Sequence, residues 1–320
     1  MSERAAENEF PERPCSGGIL EPREISLDGT TYRVEVLKKR SQPPEAPRLV
    51  VVSHLNGSAA ENLLKVCLRA VEYFTPEKHE LWVVDNNSPR ERTEWLLRRP
   101  DLNVILNRTE PLPPEARAPD SGAQLGANQR QWGSYANAVG LELAARIVDP
   151  ETRYFMTMHM DVMPCRKGWL SFLVSKMVAG VAASGARMDR TRTPEGVLHV
   201  LGFVVDFQIF TTLRLDFFPA LPSLDVGDRV TVELRRAGYG IHACPNTIWE
   251  SGLASSIAPG SPLRNLQVDR AFDDDGNVIF LHLGRGLRKS DGEHTRGVTV
   301  DGWMRIADEI FRSSRMAHGG

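Results

Sequence analysis

The chain has 320 residues, of which 41% are hydrophobic and 25% charged, with 26 Gly and 21 Pro. These are ordinary values for a globular protein and exclude a collagen-like, coiled-coil or wholly disordered chain. Thirty-nine basic residues against forty-one acidic ones leave a net charge of −2, which argues against a dedicated nucleic-acid binder while leaving room for a local basic pocket.

No apolar run approaches the ~20 residues needed to span a bilayer. Met1–Leu20 lacks an apolar signal core, so a cytoplasmic location is expected. Cys15, Cys67, Cys165 and Cys244 form no CxxC pair, and free thiols are expected.

Residues 1–47 read as an N-terminal extension punctuated by prolines. The alternating stretch Ile25–Leu37, with Asp28-Gly29 at its centre, predicts a short β-hairpin. A main domain then spans 48–290, and 291–320 holds a C-terminal amphipathic helix and tail. The β-branched run Leu49–Val52 predicts a buried strand. A helix over Ala59–Phe74 follows from Leu63, Cys67, Ala70 and Phe74 at helical spacing, and Pro76 stops it. Leu81–Val84 is a second buried strand, Arg90–Arg99 a short charged helix, and Asn103–Leu106 a third strand. A polar connection runs from Asn107 to about Gln131. A helix over Ser134–Val148 and a fourth strand over Tyr154–Met158 complete the first half. This alternation predicts an α/β fold: a mostly parallel central sheet with helices on both faces.

The second half is less regular. Trp169–Val178 and Arg229–Ala237 predict helices, and Val181–Ala186, Val197–Phe207 and Asn277–Leu283 predict strands. Asp301–Met316 is an amphipathic helix with Trp303, Ile306, Ile310 and Phe311 on one face, expected to cover its own core.

In open α/β sheets, ligands bind at the carboxyl ends of the parallel strands. Three predicted strand ends carry polar groups: Ser53-His54 after the first, Asp85-Asn86-Asn87 after the second, and His159-Met160-Asp161 after the fourth. A carboxylate directly after an apolar strand is costly without a partner. As an alternative to a ligand contact, Asp85 could cap a turn. Two later segments add candidates. Leu224–Tyr239 holds Asp225 and Asp228 just before a helix that closes in Gly-Tyr, and Phe280-Leu-His-Leu-Gly-Arg-Gly286 presents His282 and Arg285. An aspartate before a helix can equally be its cap, and a strand histidine can be a hydrogen-bonded core residue.

In this order the motifs resemble family-2 glycosyltransferases of the GT-A fold over roughly residues 48–290. The resemblance rests on Trp82–Pro89, on Met158-His-Met-Asp-Val162 as an Asp-x-Asp-like motif with His159 in the first position, on Gly133–Leu141, and on the two later segments. It implies a GT-A domain and a metal-dependent, inverting transfer of a sugar, hexosyltransferase-like, from a nucleotide-sugar donor to an acceptor hydroxyl. Ser53, His54, Asp85, Asn86 and Arg285 would bind the nucleotide sugar. Asp161 and His282, with His159 as a direct ligand or as its support, would hold a divalent cation, Mn2+ or Mg2+. Asp228 or Asp225 would be the general base. A concentrated negative charge on the departing diphosphate suits a hard cation held by a carboxylate, and a carboxylate suits proton removal from an alcohol.

Two other functions fit parts of the pattern. A nucleotidyltransferase of related fold would usually carry a Gly-rich basic loop after the first strand, which His54–Ser58 lacks. A non-catalytic nucleotide-sugar-binding relative fits the loss of the first aspartate. The segments 107–131 and Leu253–Phe272 are candidates for a lid over the site. There is no GxGxxG after the first strand, and no GxxxxGK[ST], HExxH or GxSxG. The sugar, the base, the acceptor and the oligomeric state have no signature in the sequence.

Overall fold

The computed structural model describes residues 19–116, 125–187, 196–247, 250–284, 289 and 297–318. The elements that build its larger sheet are β1 (Glu21–Leu27), β2 (Thr30–Leu37), β3 (Arg48–Ser53), β4 (Glu80–Asn86), β5 (Leu102–Asn107), β6 (Tyr154–His159), β8 (Val181–Arg187), β9 (Leu198–Asp206) and β10 (Gly240–Cys244). They lie in the order β1-β2-β5-β4-β3-β6-β9-β8-β10. The central run β5-β4-β3-β6 is parallel, as expected from its unbroken apolar strands. The flanks make the sheet mixed: β1–β2, β2–β5, β6–β9 and β8–β9 are antiparallel, and β8–β10 is parallel.

The predicted hairpin is present, with Asp28 (φ 46°) and Gly29 (φ 73°) in the left-handed turn conformation that the dipeptide favours. Its second strand is hydrogen-bonded to β5 from Val34↔Asn107 to Leu37↔Val104. The 1–47 segment therefore supplies two strands of the main sheet.

Two apolar layers cover the sheet. On one face pack α1 (Ser58–Phe74), α2 (Arg90–Arg98), α4 (Trp169–Ser175) and α7 (Val300–His318), together with a second sheet of β11 (Asp269–Phe272), β12 (Val278–His282) and β7 (Val162–Pro164). On the other pack α3 (Leu125–Ile147), α5 (Phe207–Thr212) and α6 (Asp228–Arg236). Helix α7 covers its own core, burying Trp303, Ala307, Ile310 and Phe311, with Phe311 stacked on Phe74 of α1 at 5.8 Å. Cys67, Cys165 and Cys244 are free thiols. Among the described residues no helix is long and apolar enough to cross a membrane.

Four expectations change. The helix expected from Ser134 begins at Leu125, so the connection after β5 is shorter than predicted. The helix at Trp169 ends at Ser175, where Gly180 soon reverses the chain. The predicted strand to Phe207 ends at Asp206, whose carboxylate accepts from the Gln208 and Ile209 amides and starts α5. The strands β7, β10 and β11, of three to five residues, had no periodic signal long enough to be read. Cys15 and Arg285 lie outside the described residues.

At the amino end of the parallel strands a buried ion pair closes the sheet. Arg48 and Glu80, each 1% exposed, meet at 3.4 Å. Arg48 also donates to the Pro43 and Gln42 carbonyls, and Glu80 accepts from Trp82 Nε1 and the Gln42 amide. Breaking one member of such a pair costs about 3–5 kcal/mol by leaving the other uncompensated. The sequence offers only Arg and Glu at strand starts, with nothing to say that they face each other.

A second buried acid has a pH consequence. Glu142 of α3 is 1% exposed and accepts from the Phe217 amide at 2.8 Å. Burial raises its pKa from 4.5 to about 7, against the lowering effect of the Phe217 amide and Arg146. The native state therefore binds more protons than the unfolded chain between about pH 4.5 and 7, and stability falls as pH rises through that window. Glu142→Gln keeps the acceptor for Phe217 and removes the charge. Its stability relative to the natural chain is expected to improve by about 3 kcal/mol between pH 4.5 and pH 8. Denaturant unfolding at the two pH values measures this, and a pH-independent difference refutes it.

Candidate functional site

Strand β6 stops at His159, and after Met160-Asp161 the chain enters β7. There it pairs antiparallel with β12, so that Val162 lies opposite His282. The Leu283 amide donates to the Asp161 carbonyl at 3.0 Å and locks the crossing. Three predicted residues thereby converge at the carboxyl ends of the parallel strands. The ligand atoms of His159, Asp161 and His282 lie within 4.8 Å of one another. Asp161 Oδ1 is 3.9 Å from His159 Nδ1 and 3.6 Å from His282 Nε2.

The two imidazoles differ electrically. Burial is the main influence on His159 and lowers its pKa to about 4, although Asp161 pulls the other way. Its ring is neutral at physiological pH, with a lone pair to offer. Burial also opposes charge on His282, but Asp161 and Asp269 outweigh it and hold its pKa above the ordinary value. Asp269 of β11 lies opposite His282 in register, with Oδ2 3.4 Å from His282 Nδ1. That contact lacks hydrogen-bond geometry, and Nδ1 is an ion-pair partner only.

Asn137 of α3 reaches His159 Nε2 at 2.9 Å. It gets there because α3 lies close to β3: a Cβ on Gly140 would sit 2.6 Å from a methyl of Val52, the residue paired with His159. With the Asn137 amide nitrogen facing the ring, Nε2 accepts. Rotating the amide by 180° makes Nε2 the donor and leaves Nδ1, the atom toward Asp161, as the ligand. Two imidazoles and one carboxylate converging in this way are a set that could hold a metal ion. The predicted metal residues are thus brought together.

The nucleotide-binding candidates divide by sheet face. Alternation along β3 and β4 turns Ser53 and Asp85, a register pair, toward the α1 side. Asp85 is fully buried, with one oxygen taking the Ser88 hydroxyl at 2.5 Å and the other the Ser88 amide at 3.0 Å. Ser88 Oγ in turn accepts from the Leu55 amide at 2.6 Å. This relay ties the turn after β4 to the turn after β3. Burial holds the Asp85 carboxyl above its ordinary range, in spite of Ser88. Ser53 Oγ is buried with no hydrogen-bond partner among the described residues. Asn86 points the other way, donating to the Ala136 carbonyl and accepting from Asn107, while its own carbonyl meets His54 Nδ1 at 3.0 Å.

Asp225 and Asp228 also separate. Asp228 is the first residue of α6, fully buried, with Oδ2 accepting from the Asp225 amide at 2.8 Å. That is a helix-start bond. Asp225 is only partly buried and close enough to His159 to favour its charge. Between them Gly227 (φ 76°) turns the chain, where a Cβ would lie 2.2 Å from a Val200 methyl. This glycine lets the start of β9 pack against the start of α6.

That contact brings in a residue absent from the sequence reasoning, His199. Its ring centroid is 5.4 Å from that of His159 and 5.9 Å from that of His282. Asp269 and the contact of Asn137 with His159 were missed likewise. No local motif marks His199 or Asp269, which antiparallel pairing puts there, and the Gly133–Leu141 segment contains Asn137 without marking its contact, which depends on how α3 docks.

No family model and no curated protein matches the chain. Among solved structures, the mannosyltransferase PcManGT from Pyrobaculum calidifontis, in complex with GDP-Man and Mn2+, is 14% identical with a TM-score of 0.43, covering 87% of this chain and 77% of that one. The galactosyltransferase LgtC, in complex with donor and acceptor sugar analogues, is 11% identical with a TM-score of 0.48, covering 82% and 95%. A 4-diphosphocytidyl-2C-methyl-D-erythritol synthase from Anaerococcus prevotii is 9% identical with a TM-score of 0.39, covering 62% and 88%. At this level of similarity no residue role passes from them to this chain.

Gly227→Ala combines a strained left-handed φ with a clash against Val200. The expected loss is about 2–4 kcal/mol of unfolding free energy, read from the denaturation midpoint. A loss below about 0.5 kcal/mol would show that β9 and α6 do not need this close approach.

Proposed function

We propose that the protein is a glycosyltransferase of the GT-A type that moves a sugar from a nucleoside-diphosphate donor to an acceptor hydroxyl with inversion. The observation that carries this reading is the convergence of His159, Asp161 and His282 at the parallel strand ends, beside the partly buried Asp225.

In this reading His159, Asp161 and His282 hold a divalent cation. Once bound, it neutralises charge on the departing diphosphate. His54, at the end of β3, orients the nucleotide, and Asn86, buried on the α3 face of β4, supports His54 through its carbonyl. Asp85 and Ser53 shape the floor beneath it through the turns that Ser88 joins. Asp225 takes the acceptor proton as the hydroxyl oxygen attacks the anomeric carbon. The bond from that carbon to the β-phosphate oxygen breaks, and its electron pair leaves on the nucleoside diphosphate. Asp225 is preferred to Asp228 as base because Asp228 is committed to the start of α6. A mixed imidazole and carboxylate set favours Mn2+ over Mg2+.

The test is transfer from a panel of nucleotide sugars with Mn2+, with the released phosphate compound identified. Nucleoside diphosphate is expected. Turnover of a nucleoside triphosphate and a sugar 1-phosphate instead, with release of inorganic pyrophosphate, would make the protein a nucleotidyltransferase. Asp161→Ala is expected to abolish both Mn2+ binding and turnover. Asp225→Asn should lower kcat by about 10²–10⁴ with Mn2+ affinity intact, whereas Asp228→Asn should cost about 1 kcal/mol of stability and less than tenfold in kcat. If the Asp225→Asn protein turns over normally, the general-base assignment fails.

A further inference from the structure

Three histidines cluster beside Asp161 at the carboxyl edge, and the third has a different hydrogen-bonding character from the other two. His199 is the second residue of β9, which runs antiparallel to β6, so its position falls at the same edge as His159. The three rings form a near-equilateral triangle, with centroids 5.4, 5.8 and 5.9 Å apart. Asp161 lies against two of them.

His199 Nδ1 accepts a hydrogen bond from the Leu201 amide at 3.0 Å. A backbone N–H cannot donate to a protonated nitrogen, so Nδ1 carries no proton and the neutral ring carries it on Nε2. Because Nδ1 is turned back to its own strand, the Nε2 edge points away from that strand. With Nδ1 committed to the Leu201 amide, His199 cannot move its proton there to free Nε2 for a metal, whereas His159 faces a side-chain amide that can turn and His282 Nδ1 faces the Asp269 carboxylate, so His199 differs from both in what it can do. It is a fixed N–H donor standing 5–6 Å, ring to ring, from two groups suited to a cation. An anion bridged to that cation has oxygens at the distance such a donor can reach.

We propose that His199 donates its Nε2–H to a phosphate oxygen of a cation-bound diphosphate, as a binding residue and not as a metal ligand or a base. The assignment rests on the reading of the site as a diphosphate-donor site. It deepens that reading by supplying a phosphate contact that does not depend on Arg285 or on the cation.

The experiment is calorimetric titration of the full chain with Mn2+ alone, then of the Mn2+-loaded protein with inorganic pyrophosphate and separately with uridine and guanosine diphosphates. His199→Ala is expected to leave the Kd for Mn2+ within about twofold and to weaken pyrophosphate and nucleoside diphosphate binding about 10–100-fold, the loss of one hydrogen bond to a charged acceptor. His199→Gln, whose amide nitrogen reaches a similar place as a donor, is expected to recover much of that loss. Three outcomes overturn the proposal: His199→Ala weakening Mn2+ as much as the anions, both anion affinities unchanged, or recovery no better in Gln than in Ala. Circular dichroism and the unfolding midpoint of each variant separate these from misfolding, and where Ala unfolds, the comparison of Gln with the natural chain decides. If the natural chain binds Mn2+-pyrophosphate but no nucleoside diphosphate, the nucleotide-sugar reading fails while the pyrophosphate comparison still tests His199. If it binds neither, both fall.

Discussion

A carboxylate that is 5% exposed, with an imidazole on either side, is the arrangement on which the rest of the site depends. Withdrawing Asp161 from water costs several kcal/mol unless opposite charge and hydrogen bonds repay it. The fold provides this unevenly. His159 is kept neutral by burial, while His282 is favoured as a cation by a second acid, Asp269, behind it. One ring is thus ready to give a lone pair and the other to neutralise charge. A divalent ion entering between them would satisfy Asp161 more fully than the His282 proton does, because it meets all three groups at once.

The backbone that makes this possible is short. Two residues separate β6 from β7, and β7 has only three residues with which to hold β12. The convergence is stiff because both imidazoles belong to paired strands, His159 beside Val52 and His282 between Val162 and Asp269, and the Leu283 amide holds the Asp161 carbonyl between them. Helices set the outer distances. Gly140 brings Asn137 onto His159, and Gly227 brings Asp225 to the same side. Small residues at those two points determine how near the α3 and α6 backbones come to the sheet, and hence how wide the site is.

Much of this was legible in the sequence because the central strands are apolar runs ended by polar groups, and buried parallel strands leave that signature. Asp161, His159 and His282 were found as strand-end residues and do meet. The difference in burial between Asp225 and Asp228 was not legible. Both stand before the same helix, and only the packing of that helix decides which one is sealed. Asp85 shows the same limit, since its position at a strand end is visible while its commitment to Ser88 depends on which sheet face it turns to. His199 and Asp269 were invisible for another reason. They reach the site through antiparallel neighbours far away in the chain, and the strand carrying Asp269 is only four residues long.

The hairpin at the start of the described chain has a role at the far border of the sheet. Its outer strand exposes Glu21, Pro22, Arg23 and Glu24, three charges and a residue without an amide hydrogen. Such a border is a poor template for a stranger's strand. Behind it β5 is buried at every position and rich in aliphatic side chains. Stripped of its cover, β5 would offer open amides and carbonyls on a greasy ribbon, ready to recruit another molecule. The hairpin thus acts as a selvedge: it finishes the fabric so that it neither frays nor sticks, and it frees the opposite end of the strands to be shaped for chemistry alone.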